Sequence, residues 1–338
     1  MTKIAILGAG SWGTALSVVL SGARKAHEIW LWVHNATLAQ NMHRQHENSA
    51  YLPGIALPAA IRVTHEFSVA LQSARIVIGA MPSVHARNIY SQALPYFSRE
   101  MMIVSATKGL EPATHLRMSK VIAEVLLRAG SPLLPQRIAV LSGPSFAAEA
   151  ARGEPTAVVL AAQDAALASE LQEEFSGPTF RMYTNDDVLG VELAGAMKNV
   201  MAIAAGACQG LGLGSNALAA LITRGLAEMT RLAVALGARP ETLSGLAGLG
   251  DLVLTCTGSL SRNRHVGIEI GKGRRLHEIL ADMRMVAEGV ETAAPLLALA
   301  REHQIEMPIT VQVDAILHQS KPAKEAIREI MDRPLKRE

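Results

Sequence analysis

Lys198 and Asn199 lie inside Glu192-Leu193-Ala194-Gly195-Ala196-Met197-Lys198-Asn199-Val200, a strongly apolar segment with helical spacing. A lysine there is costly unless paired. Desolvation lowers its pKa, which is how a lysine becomes a general base near neutral pH. Further on, Gly248-Leu249-Gly250-Asp251-Leu252 presents an isolated carboxylate in an apolar, glycine-bounded turn, a plausible partner for that lysine. The run from Thr257 to His265 then gathers hydroxyl, guanidinium and amide donors, with Ser261, Arg262 and Asn263 at its centre. Such donors hold a phosphate through charge-assisted hydrogen bonds. The residues alone leave open a snorkelling lysine and a solvated basic loop.

A second group of residues stands near the N-terminus. Gly8-Ala9-Gly10-Ser11-Trp12-Gly13 matches G-x-G-x-x-G, follows the apolar run Lys3 to Leu7, and opens a helical stretch. In that setting Gly8 permits a tight turn, Gly10 lets a pyrophosphate approach the backbone, and Gly13 allows close helix packing. The helix N-terminus adds amide donors and a positive dipole end. The pattern predicts a dinucleotide site. An acidic residue at the end of the second strand ordinarily takes the ribose hydroxyls. Here that strand ends Trp32-Val33-His34-Asn35, so the expected cofactor is NADP, or NADP and NAD both. Ser105-Ala106-Thr107-Lys108-Gly109 and Ser142-Gly143-Pro144-Ser145-Phe146-Ala147 each follow a candidate strand. The carboxyl ends of such strands are where open α/β sheets bind ligands.

These groups need a scaffold, and the chain supplies one. Apolar runs at Lys3 to Leu7, Ile29 to Val33, Arg75 to Ala80, Met101 to Ser105, Ile138 to Leu141 and Thr156 to Leu160 alternate with helical patterns. That alternation predicts a Rossmann-like, doubly wound α/β sheet over residues 1–186. Beyond Asp187 long Ala-, Leu- and Met-rich segments predict an all-α domain over 187–338 that carries substrate and catalytic groups. At 338 residues the chain is long enough for two domains of about 150 residues each. Thirty-two Lys and Arg against 30 Asp and Glu give a formal charge of +2, which points to no nucleic-acid surface. The most apolar long stretch, Val200 to Thr223, is broken by glycines and reads as two buried helices, so no membrane span is expected. No targeting segment is read at the N-terminus, and Cys208 and Cys256 read as buried thiols suited to a reducing cytoplasm.

Taken in order, Gly8 to Ala15, Ala106 to Gly109, Ser142 to Ala147, Gly195 to Asn199, Gly248 to Asp251, Ser261 to Asn263 and Glu288 to Val290 closely resemble the bacterial-type NAD(P)-dependent glycerol-3-phosphate dehydrogenases. The resemblance runs through nearly the whole chain. It implies reversible reduction of dihydroxyacetone phosphate to sn-glycerol 3-phosphate, the backbone of glycerophospholipids. It also implies Lys198 as the acid/base at the C2 oxygen, Lys108 orienting and polarising that oxygen, and Asp251 positioning the site. Ser261, Arg262, Asn263, Gly143 and Ser145 would contact the substrate together with those three. Ser11, Trp12, His34, Lys108, Ala147, Arg262, Val286 and Glu288 would line the cofactor. The expected partners are a small phosphorylated substrate and a second copy of the chain in a homodimer. A related hydroxyacid dehydrogenase and a non-catalytic dinucleotide sensor are the competing readings. The phosphate-binding cluster opposes the first, and the expensive buried lysine opposes the second.

Overall fold

The computed structural model describes the chain except for Ala129, Arg284, Lys336 and Glu338. It divides into two compact units, Met1–Glu111 with Leu116–Glu192, and Pro112–His115 with Leu193–Glu338.

The first unit is built on strands β1 Thr2–Leu7, β2 His27–Trp32, β3 Ile61–Thr64, β4 Ile76–Gly79, β5 Met102–Ser105, β6 Ile138–Ser142, β7 Thr156–Ala161 and β8 Phe180–Asn185. They form one eight-stranded sheet in the order β3-β2-β1-β4-β5-β6-β7-β8. The expected Rossmann-like order is present. β1 lies between β2 and β4, so the chain winds outward in both directions from the β1/β4 boundary. The crevice at such a switch point is where dinucleotides bind. The sheet is parallel but for one pair, β7 running antiparallel to β6. The return through the Gly143-Pro144 turn contains only a short helix, and a hairpin-like reversal suits it.

The inner strands are continuous apolar runs, which suits a sheet covered on both faces. β4, β5 and β6 are buried at every residue. One face carries α1 Ser11–Ser21, α2 Ala36–Gln45 and, much later in the chain, the helix Ala165–Phe175. Leu16, Leu20, Met42, Leu171 and Phe175 from these helices pack on Ile4, Ile6, Ile29 and Ile76. The other face carries α3 Phe67–Leu71, α4 Ser83–Ala93 and α5 Met118–Arg128, packing through Leu71, Tyr90, Val121 and Ile122. One short helix, α6 Ala147–Ala151, packs against α1, and the Ala165–Phe175 helix is α7.

Past Asn185 the described residues form helices and turns without strands: α8 Val188–Gly210, α9 Ser215–Ala235, α10 Pro240–Ser244, α11 Asp251–Thr257, α12 Arg262–Gly271, α13 Leu276–Asp282, α14 Glu288–Glu302, α15 Pro308–His318 and α16 Ala323–Met331. The glycines of α8 are not all breaks. Gly206 and Gly210 face Gly267 and Gly271 of α12, and a side chain on any of the four would collide with the backbone of the facing helix. These two helices therefore cross at backbone contact, while the break itself is Leu211–Gly214. The second apolar segment is less buried than its sequence predicts, since Asn216, Ala219, Ala220 and Thr223 on α9 are exposed. Among the described residues α8 alone is long and apolar enough to cross a membrane, and 89% of its most apolar window is buried within the protein.

α9 and α15 are tied by a buried carboxylate. Glu228 accepts from the Ile309 and Thr310 amides, each at 2.9 Å, and from the Thr310 hydroxyl at 2.7 Å. Burial raises its pKa, and these three donors oppose the rise. The arrangement caps the amides at the start of α15, which have no acceptor within their own helix.

Candidate active site

In the first unit the glycine turn behaves as its spacing predicts. Gly8 has φ +113, and a Cβ there would lie 2.9 Å from the Ala80 carbonyl oxygen. Gly13 sits so close to Gly8 that no side chain fits between α1 and the turn. Gly10, by contrast, has φ −70, and a Cβ on it meets no protein atom within 4 Å. The backbone at Gly10 is therefore open where the backbone at Gly8 and Gly13 is closed. Two residues on, in the first turn of α1, the indole N–H of Trp12 is buried with no hydrogen-bond partner among the described residues. An open backbone at a helix N-terminus fits an anionic dinucleotide.

The turn is braced by a residue that the sequence did not single out. Asn48 is fully buried, and its amide donates to the Ala9 carbonyl and to Thr14 Oγ1, each at 2.8 Å. The Ser11 hydroxyl donates to the Tyr51 carbonyl at 2.7 Å, so the segment after α2 holds the turn from outside. His34 follows β2 and is exposed, its ring 6.1 Å from that of Trp32. Trp32 stacks on Phe67 at 4.2 Å and donates its indole N–H to the His65 carbonyl at 3.0 Å. Asn35 caps α2 by accepting from the Leu38 amide at 2.9 Å. Ala147 opens α6, which packs on α1.

Lys108 and the Gly143 turn meet at the carboxyl ends of β5 and β6. Lys108 Nζ donates to the Gly143 carbonyl at 2.8 Å, and the Ser145 hydroxyl donates to the same oxygen at 2.9 Å. One carbonyl thus orients both polar side chains. The structure brings these three expected substrate contacts together.

The second unit holds the lysine. Lys198 Nζ donates to Asp251 Oδ1 and to Thr255 Oγ1, each at 2.8 Å, and the Thr255 hydroxyl lies 2.6 Å from the Asp251 carbonyl, which accepts from it. The Lys198 and Asp251 side chains are 9% and 1% exposed. Asp251 is the first residue of α11, directly after one turn of π-helix over Leu246–Gly250, a feature that recurs at functional sites. Thr255 stands one turn later on α11 and completes a cage that the sequence reading missed. Cys256 follows it, with its thiol pushed up to about 12 by burial, against the pull of Lys198 and Arg264. Such a thiol is inert at neutral pH.

Ser261, Arg262 and Asn263 form the start of α12. Ser261 is its N-cap and accepts from the Arg264 amide at 3.2 Å. Asn263 is buried, and its amide donates to Asn199 Oδ1 at 2.9 Å and accepts from the Gly289 amide at 2.9 Å. Asn199 in turn donates to the Gly195 carbonyl at 3.3 Å. This relay ties α8, α12 and α14 at one point. Arg262 is exposed by surface area although protein atoms crowd its guanidinium; that crowding lowers its pKa, and Glu288 acts the other way. Its surface exposure decides whether a ligand can reach it, because crowding does not close a group to solvent. Glu288 opens α14, and Val286 is 39% exposed two residues before it.

Both halves of the chain match one family. Residues 3–168 match the N-terminal model of the NAD-dependent glycerol-3-phosphate dehydrogenases, and residues 187–328 match the C-terminal model. The chain is 54% identical over 335 residues to glycerol-3-phosphate dehydrogenase [NAD(P)+] of Koribacter versatilis, covering 99% of this chain and 98% of that one. Identity to the protein of the same description from Acidobacterium capsulatum is 54% over 338 residues, covering 99% of each. The crystal structure of glycerol-3-phosphate dehydrogenase from Coxiella burnetii superposes with a TM-score of 0.92 at 41% identity, covering 98% of this chain and 99% of that one. With a family match in each half and such relatives along its whole length, the chain belongs to the NAD(P)-dependent glycerol-3-phosphate dehydrogenases.

Proposed function

We propose that this chain catalyses the reversible reduction of dihydroxyacetone phosphate to sn-glycerol 3-phosphate, using NADPH or NADH, and so supplies the backbone of glycerophospholipids. The observation that carries this reading is the buried Lys198, held 2.8 Å from both Asp251 and Thr255. A protein that only senses a dinucleotide has no use for a desolvated ammonium, which costs free energy even when paired.

A nicotinamide cofactor, when bound, would supply the hydride for C2 in its reduced form and accept it back in its oxidised form. Lys198, as its ammonium form, gives a proton to the C2 oxygen as negative charge develops there, and as an amine takes that proton back in the reverse direction. Asp251 and Thr255 fix the position and rotation of Nζ, and Asp251 favours the ammonium. Lys108, held by the Gly143 carbonyl, orients and polarises the same oxygen. Arg262 binds the substrate phosphate and also meets the cofactor. The first turn of α12, with Ser261 and Asn263, adds helix-terminal donors, and Gly143 and Ser145 complete the substrate contacts.

Gly8, Gly10, Ser11, Trp12 and Gly13 would hold the pyrophosphate. His34 would face the ribose, and Ala147, Val286 and Glu288 would line the rest of the dinucleotide. The functional division falls at 186/187, between cofactor-binding and catalytic parts. The protein acts in the cytoplasm as a homodimer, which sedimentation equilibrium would check. Parallel assays of dihydroxyacetone phosphate reduction with NADH and NADPH test the central reading. Turnover of 3-hydroxyisobutyrate with none of dihydroxyacetone phosphate would overturn it.

A further inference from the structure

The loop that carries Lys108 is fastened on both sides. Before the lysine, the Ala106 amide donates to the Gly79 carbonyl at 2.8 Å, and the buried Thr107 hydroxyl donates to the Met81 carbonyl at 2.7 Å. After it comes Gly109 at φ +154, a conformation that side chains rarely adopt. Leu110 then pairs with Arg117 in an isolated antiparallel bridge, and the Glu111 amide donates to the Leu116 carbonyl at 2.9 Å. The carboxylate of Glu111 turns inward to a side-chain exposure of 10%. There it accepts a fork from Arg87 on α4, with Nε to Oε1 and Nη2 to Oε2 both at 2.8 Å. The remaining guanidinium nitrogen lies 3.0 Å from Glu124 Oε2 on α5.

Stability alone does not account for this fork. A buried ion pair roughly breaks even against an apolar replacement of the same volume. What a bidentate guanidinium–carboxylate pair adds is fixed geometry. Geometry is in demand here because glycine loses more conformational freedom on ordering than any other residue, and Gly109 directly follows Lys108. With Thr107 as the near anchor, a second anchor beyond Gly109 is needed to hold the lysine at one place.

We propose that Glu111, gripped by Arg87, is a positioning residue for Lys108: it fixes the far side of the loop and so the placement of the lysine Nζ. This rests on the role given to Lys108 above.

The test is a double-mutant cycle on kcat/KM for dihydroxyacetone phosphate, with melting temperature followed in every variant. Glu111→Gln keeps the shape of the side chain and removes the charge-assisted fork. It is expected to lower kcat/KM on the order of tenfold in the wild-type background, within the range of coupling between interacting residues. In the Lys108→Ala background the same change is expected to cost less than about twofold, since no lysine is left to misplace. The shift in melting temperature should be the same in both backgrounds. Arg87→Met breaks the fork from its more exposed side, is expected to give the same pattern, and keeps the test intact where Glu111→Gln fails to fold. Equal fold losses in both backgrounds would show that the fork serves only the fold and would overturn the proposal while leaving Lys108 in its role. An unaltered kcat/KM in Lys108→Ala itself would instead remove the role of Lys108, and the proposal with it.

Discussion

Replacing Lys198 does two separable things, and the structure says how to part them. Lys198→Met removes the proposed acid/base and also takes from Asp251, 1% exposed, the ammonium 2.8 Å away. Removing one partner of a buried pair costs about 3–5 kcal/mol. At about 2–4 °C per kcal/mol for units of this size, the melting temperature should fall by roughly 6–20 °C. The loss should depend on pH in a fixed direction. With the ammonium gone, burial holds the folded-state pKa of the Asp251 carboxyl above its unfolded value, so the folded variant binds the extra proton and its stability falls as pH rises. Lys198→Met should therefore melt closest to wild type at pH 5 and furthest from it at pH 8. Adding Asp251→Asn removes the stranded charge and should restore most of the melting temperature at pH 8. Turnover should behave otherwise, falling about 10²–10⁴-fold in the single variant and staying low in the double. Calorimetry across pH and initial rates of NADH oxidation measure the two effects. NADH affinity should hold, because the glycine turn belongs to the other compact unit. A double variant that regains turnover, or a single one that keeps more than about a tenth of the wild-type rate, would refute the assignment.

Gly10→Val should weaken NADH binding at least about tenfold, roughly 1.4 kcal/mol, while leaving the melting temperature nearly unchanged, since φ is −70 and the added carbon meets no protein atom within 4 Å; fluorescence titration and melting curves check both. His34→Asp should move the ratio of kcat/KM for NADPH to that for NADH toward NADH, because a carboxylate accepts from free ribose hydroxyls and repels a 2′-phosphate; an unmoved ratio would show that another loop reads the ribose. Arg262→Ala should raise the KM for dihydroxyacetone phosphate about ten- to a hundredfold, the worth of one charge-assisted bond, and should affect unphosphorylated dihydroxyacetone much less. Equal losses for the two substrates would assign Arg262 to the cofactor or the fold.

The sheet was legible in the sequence wherever it is covered on both faces. β1, β2, β4, β5, β6 and β7 all stand out as apolar runs, whereas Ile61–Thr64 and Phe180–Asn185 do not. The latter two are the edges of the sheet. An edge strand pairs on one side only and keeps charged, exposed residues such as Arg62 and Arg181, so it lacks the run that marks an inner strand. The reversal of β7 was hidden for a different reason: an apolar strand buried on both faces reads the same in either direction. At the site, Lys198 and Asp251 were conspicuous because a charge in an apolar stretch is anomalous. Thr255 was not, since a threonine amid Leu, Val and Cys is ordinary core composition, and only the helix register sets it one turn beyond Asp251. Asn48 lay in a segment with no periodicity to interpret, and what reveals its role is its complete burial against the glycine turn.

One regularity joins these cases. Lys198, Arg262 and Glu288 are each followed directly by a member of the buried relay, Asn199, Asn263 and Gly289. Successive residues on a helix are rotated by about 100°, so a functional side chain and its neighbour leave the helix in different directions, and fixing one fixes the rotation that aims the other. Gly289 fits the same logic without a side chain. A Cβ on it would lie 2.6 Å from the Asn199 carbonyl oxygen, so only glycine lets the start of α14 come close enough for its amide to reach Asn263. The three helices are thus locked in rotation by amide groups, which carry no charge and have no titration to perturb near neutral pH. Charged side chains at the same points would have coupled the aim of the site to the protonation of its own lysine.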